Sequence, residues 1–204
     1  MTLATLALFI PACFALNIAP GPNNVLAFSS GARRGFFVGL AGGMGRMLPF
    51  AAMIGIVGVG LGAVLATSET AFNMVKFAGA AYLIYVGWRM WRSAPMAETG
   101  APLDEPIATL VRRDFLIAIG NPKAIAIFTA FFPQFTDLAQ PLAPQYAALG
   151  GLFLGLECLA VALYAGFGAG FQSLLTPARL HRLNRGVGGF LIFSGFALAL
   201  NERP

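Results

Sequence analysis

Charged and metal-binding residues are scarce in this chain of 204 residues. Asp, Glu, Lys and Arg make up 10% of the sequence, against about 25% in a typical soluble domain. One histidine and two cysteines supply neither a Ser-His-Asp arrangement nor metal-ligand spacing. No Walker-type phosphate loop occurs, so ATP is not an energy source within this chain. These absences predict a protein that is not an enzyme and has no cofactor.

Apolar residues dominate instead, at 58% of the sequence with a mean hydropathy of +0.77. Such a composition predicts a polytopic protein of the lipid bilayer. The net charge of +5 does not indicate a nucleic-acid partner, because the basic residues cluster in short loops between apolar runs. The first apolar run lacks a basic start and exceeds a signal-peptide core, so we expect it to be retained.

Six apolar stretches follow one another along the chain. They cover about 3–30, 36–66, 72–91, 115–135, 146–171 and 187–200. A helix needs about 20 residues to cross the hydrocarbon core. The pattern therefore predicts an all-α fold of six transmembrane helices.

Basic residues occur in alternate loops. Loop one carries Arg33 and Arg34, loop three Arg92, Arg112 and Arg113, and loop five Arg179, Arg182 and Arg185. Loops two and four carry no Lys or Arg. The positive-inside rule therefore predicts that loops one, three and five are cytoplasmic and that both termini face outward.

Two apolar stretches, the first and the fourth, are interrupted by polar and helix-breaking residues. The interruptions are Ala19-Pro20-Gly21-Pro22-Asn23-Asn24 and Gly120-Asn121-Pro122-Lys123. Proline removes a backbone donor and clashes with the preceding turn, so helices 1 and 4 are predicted to be broken. Breaks at membrane depth survive only inside protein or beside a watery cavity.

The two breaks lie a hundred residues apart in matching places of two halves. Three spans per half place the halves in opposite orientations, which predicts an inverted-topology repeat. The expected units are a first three-helix repeat at 1–92, a cytoplasmic linker at 93–111 and a second repeat at 112–204. Paired breaks of this kind indicate a transporter's substrate site.

The predicted substrate site is built from both breaks and one residue of the second span. Its members are Pro20, Gly21, Pro22, Asn23, Asn24, Arg46, Asn121, Pro122 and Lys123. Half-helix ends and freed carbonyls would bind an amino acid's own charges. The three asparagines could orient the substrate, or only cap the broken ends.

Glu157 is the single carboxylate near the middle of a predicted span. Ionisable groups at that depth are expensive and are usually functional. Glu157 could carry a proton between the two sides, or bind a substrate ammonium. The plainer interpretation is a structural ion pair with Arg46 or Lys123.

Two basic residues join these predictions. Arg46 lies roughly 18 Å into the membrane by helical rise, where it could hold a substrate carboxylate in a bidentate fork. Alternatively, Pro49 breaks the helix and Arg46 faces a cytoplasmic vestibule. Lys123 lies at a positive helix end and needs a partner, either Glu157 or a bound carboxylate. An inward-facing basic pocket argues against a dibasic substrate.

Three motifs carry a family resemblance over essentially the whole chain. They are Ala19-Pro20-Gly21-Pro22-Asn23, Lys76-Phe77-Ala78-Gly79-Ala80-Ala81-Tyr82-Leu83-Ile84-Tyr85-Val86-Gly87, and Asn121-Pro122-Lys123-Ala124 followed by Phe131-Phe132-Pro133-Gln134-Phe135. In these motifs the chain resembles the lysine exporter / homoserine–threonine resistance family of bacterial amino-acid exporters, in its homoserine–threonine branch. The resemblance implies a small inner-membrane exporter of amino acids or close derivatives, driven by the proton gradient.

Together these observations predict an alternating-access exporter of small neutral amino acids, such as homoserine, threonine or leucine, with protons as the coupling partner. A homodimer is an assembly that the sequence leaves open. The competing hypothesis is a membrane structural or lipid-handling protein with the same inverted repeat and no coupled export.

Overall fold

The computed structural model describes residues 3–65, 69–92, 105–137 and 140–170, and positions 182, 185–186, 188–189, 192–193, 195–196 and 199–200. Within these ranges the chain is helical, which confirms the predicted all-α class. The α-helices are α1 (Leu3–Ile18), α2 (Pro22–Arg34), α3 (Phe36–Gly43), α4 (Met47–Leu65), α5 (Glu69–Arg92), α6 (Ile107–Ile119), α7 (Pro122–Ala126) and α8 (Leu142–Gly170). Positions 93–104 of the predicted linker, Arg179 of loop five and part of the sixth stretch lie outside the described residues.

Two uninterrupted helical stretches are long and apolar enough to cross a membrane. They are Phe36–Gly60 and Leu142–Gly170. Each of two bent helix pairs would add one span, namely Thr5–Ile18 with Pro22–Arg34 and Ile107–Ile119 with Lys123–Phe135. The described residues therefore contain two to four spans, as expected of a polytopic membrane protein.

The first predicted break is confirmed between α1 and α2. The two helix axes are inclined by 62°. Gly21 is extended, at φ −160° and ψ 169°, and precedes Pro22 at the start of α2. Proline suits the first helical position, because the N–H it lacks would have no partner there. The Pro20-Gly21-Pro22 segment thus ends one helix and starts the next.

The second predicted break is confirmed between α6 and α7, with a bend of 52°. The Asn121 side chain caps α7 by accepting a hydrogen bond from the Lys123 backbone N–H at 3.0 Å. Beyond α7 the chain continues as a π-helical turn, Ile127–Phe131, and a 3₁₀ turn, Phe132–Phe135. This bent pair starts at Ile107, eight residues before the predicted 115, so Asp114 lies inside it.

The alternative in which Pro49 breaks the second span is wrong. A short 3₁₀ turn, Met44–Arg46, joins α3 to α4 without interrupting the stretch Phe36–Gly60. Pro49 is the third residue of α4, and the first helical turn tolerates proline. Arg46 is consequently buried, with no exposed surface, and does not face a vestibule.

Helices α2 and α8 cross at glycines. A Cβ placed on Gly31 would lie 2.3 Å from the carbonyl oxygen of Ala165, and one on Gly168 would lie 2.2 Å from that of Phe28. Neither position can hold a side chain without moving backbone, so the close approach depends on glycine. This crossing packs the second half of α2 against the C-terminal part of α8.

Phenylalanines fill the core between α1, α4, α8 and the helical stretch that follows α7. The rings of Phe128 and Phe153 meet edge to face with centroids 4.9 Å apart, and Phe9 meets Phe135 in the same way at 5.1 Å. Edge-to-face pairs add about 0.5–1.5 kcal/mol beyond area burial. The cluster gives the region around the breaks a rigid apolar wall.

Candidate functional site

Arg46 lies at the centre of a buried polar network between the two breaks. Its Nε and Nη2 donate to the two carboxylate oxygens of Asp114, each at 3.1 Å. Its Nη1 donates to Glu157 Oε1 at 2.9 Å and to Asn24 Oδ1 at 2.5 Å, and Nη2 also donates to the Asn23 carbonyl oxygen at 2.5 Å. A guanidinium has five N–H donors, and all five are used. Arg46 therefore has no donor left for a substrate carboxylate in this conformation.

Asp114 is a buried charged residue of this network that the sequence analysis did not include among the candidate site residues. Glu157 was expected to be the single carboxylate at this depth, and that expectation is wrong. Asp114 has no exposed surface and also accepts from the backbone N–H of Arg46 at 2.9 Å. The sequence feature that could have identified Asp114 is its spacing of four from the apolar residues Leu110 and Ala118. In a helix this spacing puts all three on one face, which is the buried face of α6. The error arose because α6 was predicted to begin after Asp114.

Glu157 forms the ion pair with Arg46 that was one of its predicted alternatives. It lies in the middle of α8 and its side chain is 6% exposed. The two carboxylates and the cations of Arg46 and Lys123 balance in charge at this site. Such balance is needed, because an unpaired charge at this depth is costly.

The asparagines of the two breaks contact each other. Asn121 Nδ2 donates to Asn23 Oδ1 at 3.0 Å, and Asn23 Nδ2 donates to Asp114 Oδ1 at 2.8 Å. A chain of hydrogen bonds thus runs from the second break through the first to α6. Asn23 and Asn24 are each 2% exposed and Asn121 is 3% exposed. The structure therefore brings the two interruptions together.

The carbonyl groups freed at the end of α1 are bound by side chains. Lys123 Nζ donates to the carbonyl oxygens of Leu16 and Ala19 at 3.1 and 2.9 Å. Asn24 Nδ2 donates to those of Asn17 and Ala19 at 2.7 and 2.8 Å. The Tyr164 hydroxyl donates to the Ile18 carbonyl at 2.7 Å. These contacts satisfy groups that a helix end leaves without intrahelical partners.

Lys123 therefore hydrogen-bonds to the first break across the site, and among the described residues it forms no direct ion pair with Glu157, one of its two predicted partners. A cation at the C-terminal end of a helix is favourable, because the helix dipole is negative there. Gly21 lies beside this contact, and a Cβ at that position would be 3.5 Å from Lys123 Nζ, an ordinary contact distance. Pro20 is buried beside it and Pro22 is exposed at the start of α2, while Pro122 starts α7.

These groups surround a small enclosed cavity of about 10 Å³, which is room for about one water molecule. Its polar lining consists of Asn17, Asn23, Asn24, Arg46, Asn121, Lys123 and Glu157, with Gly21. Its apolar lining consists of Phe50, Ala124, Ile127 and Phe153. Ligand pockets are usually roughly 300–1,000 Å³, so the surrounding helices must separate to admit a molecule larger than water.

A metal centre is not indicated by the described residues. Among them, no group of three or more His, Cys, Asp or Glu side chains lies close enough to hold a metal ion. Cys13 and Cys158 are both free thiols. The described side chains of the site interact through ion pairs and hydrogen bonds.

Comparison with known proteins gives a family match over most of the chain. The model of the LysE type translocator family matches residues 14–202. A homoserine/homoserine lactone efflux protein of Salmonella typhimurium is 29% identical over 191 residues, covering 90% of each chain. A leucine efflux protein of an Enterobacter species is 28% identical over 196 residues, covering 94% of this chain and 92% of the relative.

A membrane protein of Vibrio cholerae with no assigned function is 32% identical over 185 residues, covering 90% of each chain. No solved structure matches the chain. The similarity thus extends over at least nine tenths of the length of each of these relatives.

Proposed function

The chain belongs to the LysE type translocator family, and we propose that it exports small neutral amino acids in exchange for protons. It is a multi-pass protein of the bacterial inner membrane and a translocator of amino acids or their derivatives, not an enzyme. One observation carries the proposal. Two broken helices converge on one small cavity that is lined by the cations of Arg46 and Lys123 and by the Glu157 carboxylate, with Asp114 paired to Arg46.

The substrate binds where the two breaks meet, in the cavity lined by Gly21, Asn23, Asn24, Asn121 and Lys123. An amino acid is a zwitterion, so its site needs a cation for the carboxylate and an acceptor for the ammonium. Lys123 uses two of its three N–H donors on carbonyls of the first break among the described residues. The third donor is directed to the substrate carboxylate.

Arg46 acts on the substrate indirectly. Because its five donors are used by Asp114, Glu157 and the two asparagines of the first break, it holds these groups in place. Arg46 is accordingly a positioning residue.

Glu157 couples substrate movement to proton movement. A carboxylate can hold either a proton or a substrate ammonium, but not both with equal strength, because protonation removes its charge. Proton binding from the outside would release the ammonium, and substrate binding from the cytoplasm would release the proton inward. This competition at one carboxylate is sufficient for one-for-one antiport.

The substrate side chain contacts the apolar wall of Phe50, Ile127 and Phe153. This wall offers no hydrogen-bond partner, so a charged side chain would be desolvated without compensation. Small aliphatic or hydroxylated side chains fit that chemistry. The names of the relatives, a leucine efflux protein and a homoserine/homoserine lactone efflux protein, fall in the same class.

The site lies between two inverted three-helix repeats in a six-span protein. Support comes from the two bent pairs, which bend by 62° and 52° and each resume at a proline, Pro22 and Pro122. The first repeat covers 1–92 and the second 112–204, joined by 93–111. Helix α6 begins at Ile107, inside that joining segment. Such repeats allow alternating access by rocking one unit against the other.

The test is transport by the purified protein in liposomes loaded with radiolabelled L-leucine or L-homoserine. An outside pH lower than the inside pH should drive efflux above that of protein-free liposomes. A protonophore that collapses the gradient should remove the difference. Equal efflux with and without the gradient for both substrates would contradict the proposal and favour the structural or lipid-handling alternative.

A further inference from the structure

Asn17 lines the same cavity but has no place in the mechanism so far. It lies near the end of α1, with no exposed surface. Its Nδ2 donates to the carbonyl oxygen of Phe153 at 3.2 Å. Its Oδ1 is buried and has no hydrogen-bond partner among the described residues. An unpaired buried acceptor is costly and calls for a donor.

The orientation of the Asn17 amide follows from this contact. If the side chain were flipped, Oδ1 would face the Phe153 carbonyl and two acceptors would repel each other. The donor end therefore points to α8 and the acceptor end points away from that carbonyl. Phe153 lies one helical turn before Glu157 on α8, since residues four apart share a face. The amide thus sits beside the turn that carries Glu157.

Asn17 and Glu157 both line the cavity, and each offers an acceptor, Asn17 Oδ1, which has no partner among the described residues, and the Glu157 carboxylate. A primary ammonium has three N–H donors and can satisfy both acceptors at once. Lys123 directs two of its three donors to the carbonyls of Leu16 and Ala19, and the proposed function assigns its third donor to the substrate carboxylate. Arg46 cannot fill this role, because its five donors are used elsewhere.

We infer that Asn17 is a substrate-binding residue whose Oδ1 accepts a hydrogen bond from the ammonium of the transported amino acid, beside Glu157. This inference rests on the proposed export function and adds a determinant of selectivity. Asn17 makes the site prefer ligands with a primary ammonium over carboxylic acids that lack one. The ammonium then has one charged acceptor, which exchanges a proton, and one neutral acceptor, which does not.

The experiment measures binding of L-leucine and of 4-methylpentanoate, its analogue without the amino group, to the purified protein. Asn17→Leu removes the acceptor and the donor at similar volume. Asn17→Asp keeps the acceptor and removes the donor to Phe153. A lost hydrogen bond to a charged group lowers affinity about tenfold or more.

We expect Asn17→Leu to weaken L-leucine binding at least about tenfold, with 4-methylpentanoate changed by less than about twofold. Asn17→Asp should retain L-leucine binding and weaken that of 4-methylpentanoate, since a carboxylate repels an acid. If Asn17→Leu is not stable in detergent, wild type and Asn17→Asp carry the test alone. Equal loss of both ligands in Asn17→Asp would show that only the donor to Phe153 matters and would overturn the inference.

The outcomes separate this inference from the export function. Wild-type protein that binds neither L-leucine nor L-homoserine would contradict the export function itself. Wild-type binding that Asn17→Leu leaves unchanged would contradict only the role of Asn17.

Discussion

Asp114 and Glu157 bind the same arginine from two helices, yet they are held very differently. Both oxygens of Asp114 are engaged, by the backbone N–H, Nε and Nη2 of Arg46 and by Asn23 Nδ2. Among the described residues, Glu157 is held through one oxygen by one Arg46 hydrogen bond at 2.9 Å. Asp114 is fully buried, whereas Glu157 lines the cavity.

This difference suits the two carboxylates to two tasks, holding Arg46 in place and exchanging a proton. Protonating Asp114 would disturb four hydrogen bonds, and protonating Glu157 would disturb one. In the proposed function, Asp114 is therefore a fixed counter-charge that keeps Arg46 in place, and Glu157 is the carboxylate that exchanges a proton. The more weakly held carboxylate is the one that a proton or an ammonium can reach.

The largest loss of stability should come from replacing Arg46, the cation that pairs with both carboxylates. Arg46→Met leaves two buried carboxylates without compensation, and breaking a buried pair in this way costs about 3–5 kcal/mol. We expect little monodisperse protein after detergent extraction, measured by fluorescence-detected size-exclusion chromatography. Arg46→Lys keeps the charge but has three donors for five acceptors, and should be intermediate. A wild-type melting temperature for Arg46→Met would show that the network does not stabilise the fold.

Neutralising each carboxylate in turn tests whether Asp114 stabilises the fold more than Glu157 does. Asp114→Asn should lower the free energy of unfolding by about 3 kcal/mol, because Arg46 loses its main counter-charge. Glu157→Gln keeps an acceptor for Nη1 and should cost about 1 kcal/mol. Thermal unfolding in one detergent measures both. Glu105→Gln is a matched control, since Glu105 pairs with Arg113 outside this network. Equal losses for Asp114→Asn and Glu157→Gln would remove the distinction between the two carboxylates.

A smaller loss of stability tests whether Asn23 acts together with Asp114, to which it donates a hydrogen bond. Asn23→Ala removes a hydrogen bond to a charged group and should cost about 1.5–3 kcal/mol in wild-type protein. In the Asp114→Asn background most of that cost should disappear, because the two residues contact each other. In the Glu157→Gln background it should persist. A double-mutant cycle of melting temperatures measures the couplings, and coupling to Glu157 but not to Asp114 would reverse the assignment.

Sequence reasoning found the breaks because proline and glycine act locally. Proline disrupts the interior of a helix and suits its first position. The starts at Pro22 and Pro122 could therefore be predicted from neighbouring residues, without knowledge of long-range contacts. Asn121 was expected to cap its helix end or to orient the substrate, and the structure confirms the cap. These parts of the site could be read from a few neighbouring residues.

The partners of the charged residues could not be read in this way. The pair of Arg46 with Asp114 joins positions 68 residues apart, and it depended on placing the start of α6 correctly. Asp114 follows Arg112 and Arg113, which made it resemble part of a loop. The acceptor of Asn17 was hidden for a similar reason, because only the packing of α1 against α8 shows which amide atom lacks a partner.

The most direct test of the account is transport by Glu157→Gln in liposomes under two conditions. With an imposed pH gradient, the variant should show no efflux of L-leucine or L-homoserine beyond that of protein-free liposomes, since glutamine cannot exchange a proton. Without a gradient, it should still exchange internal labelled substrate for external unlabelled substrate, because the rest of the site is intact. Gradient-driven efflux at the wild-type rate would contradict the account and remove Glu157 from proton coupling.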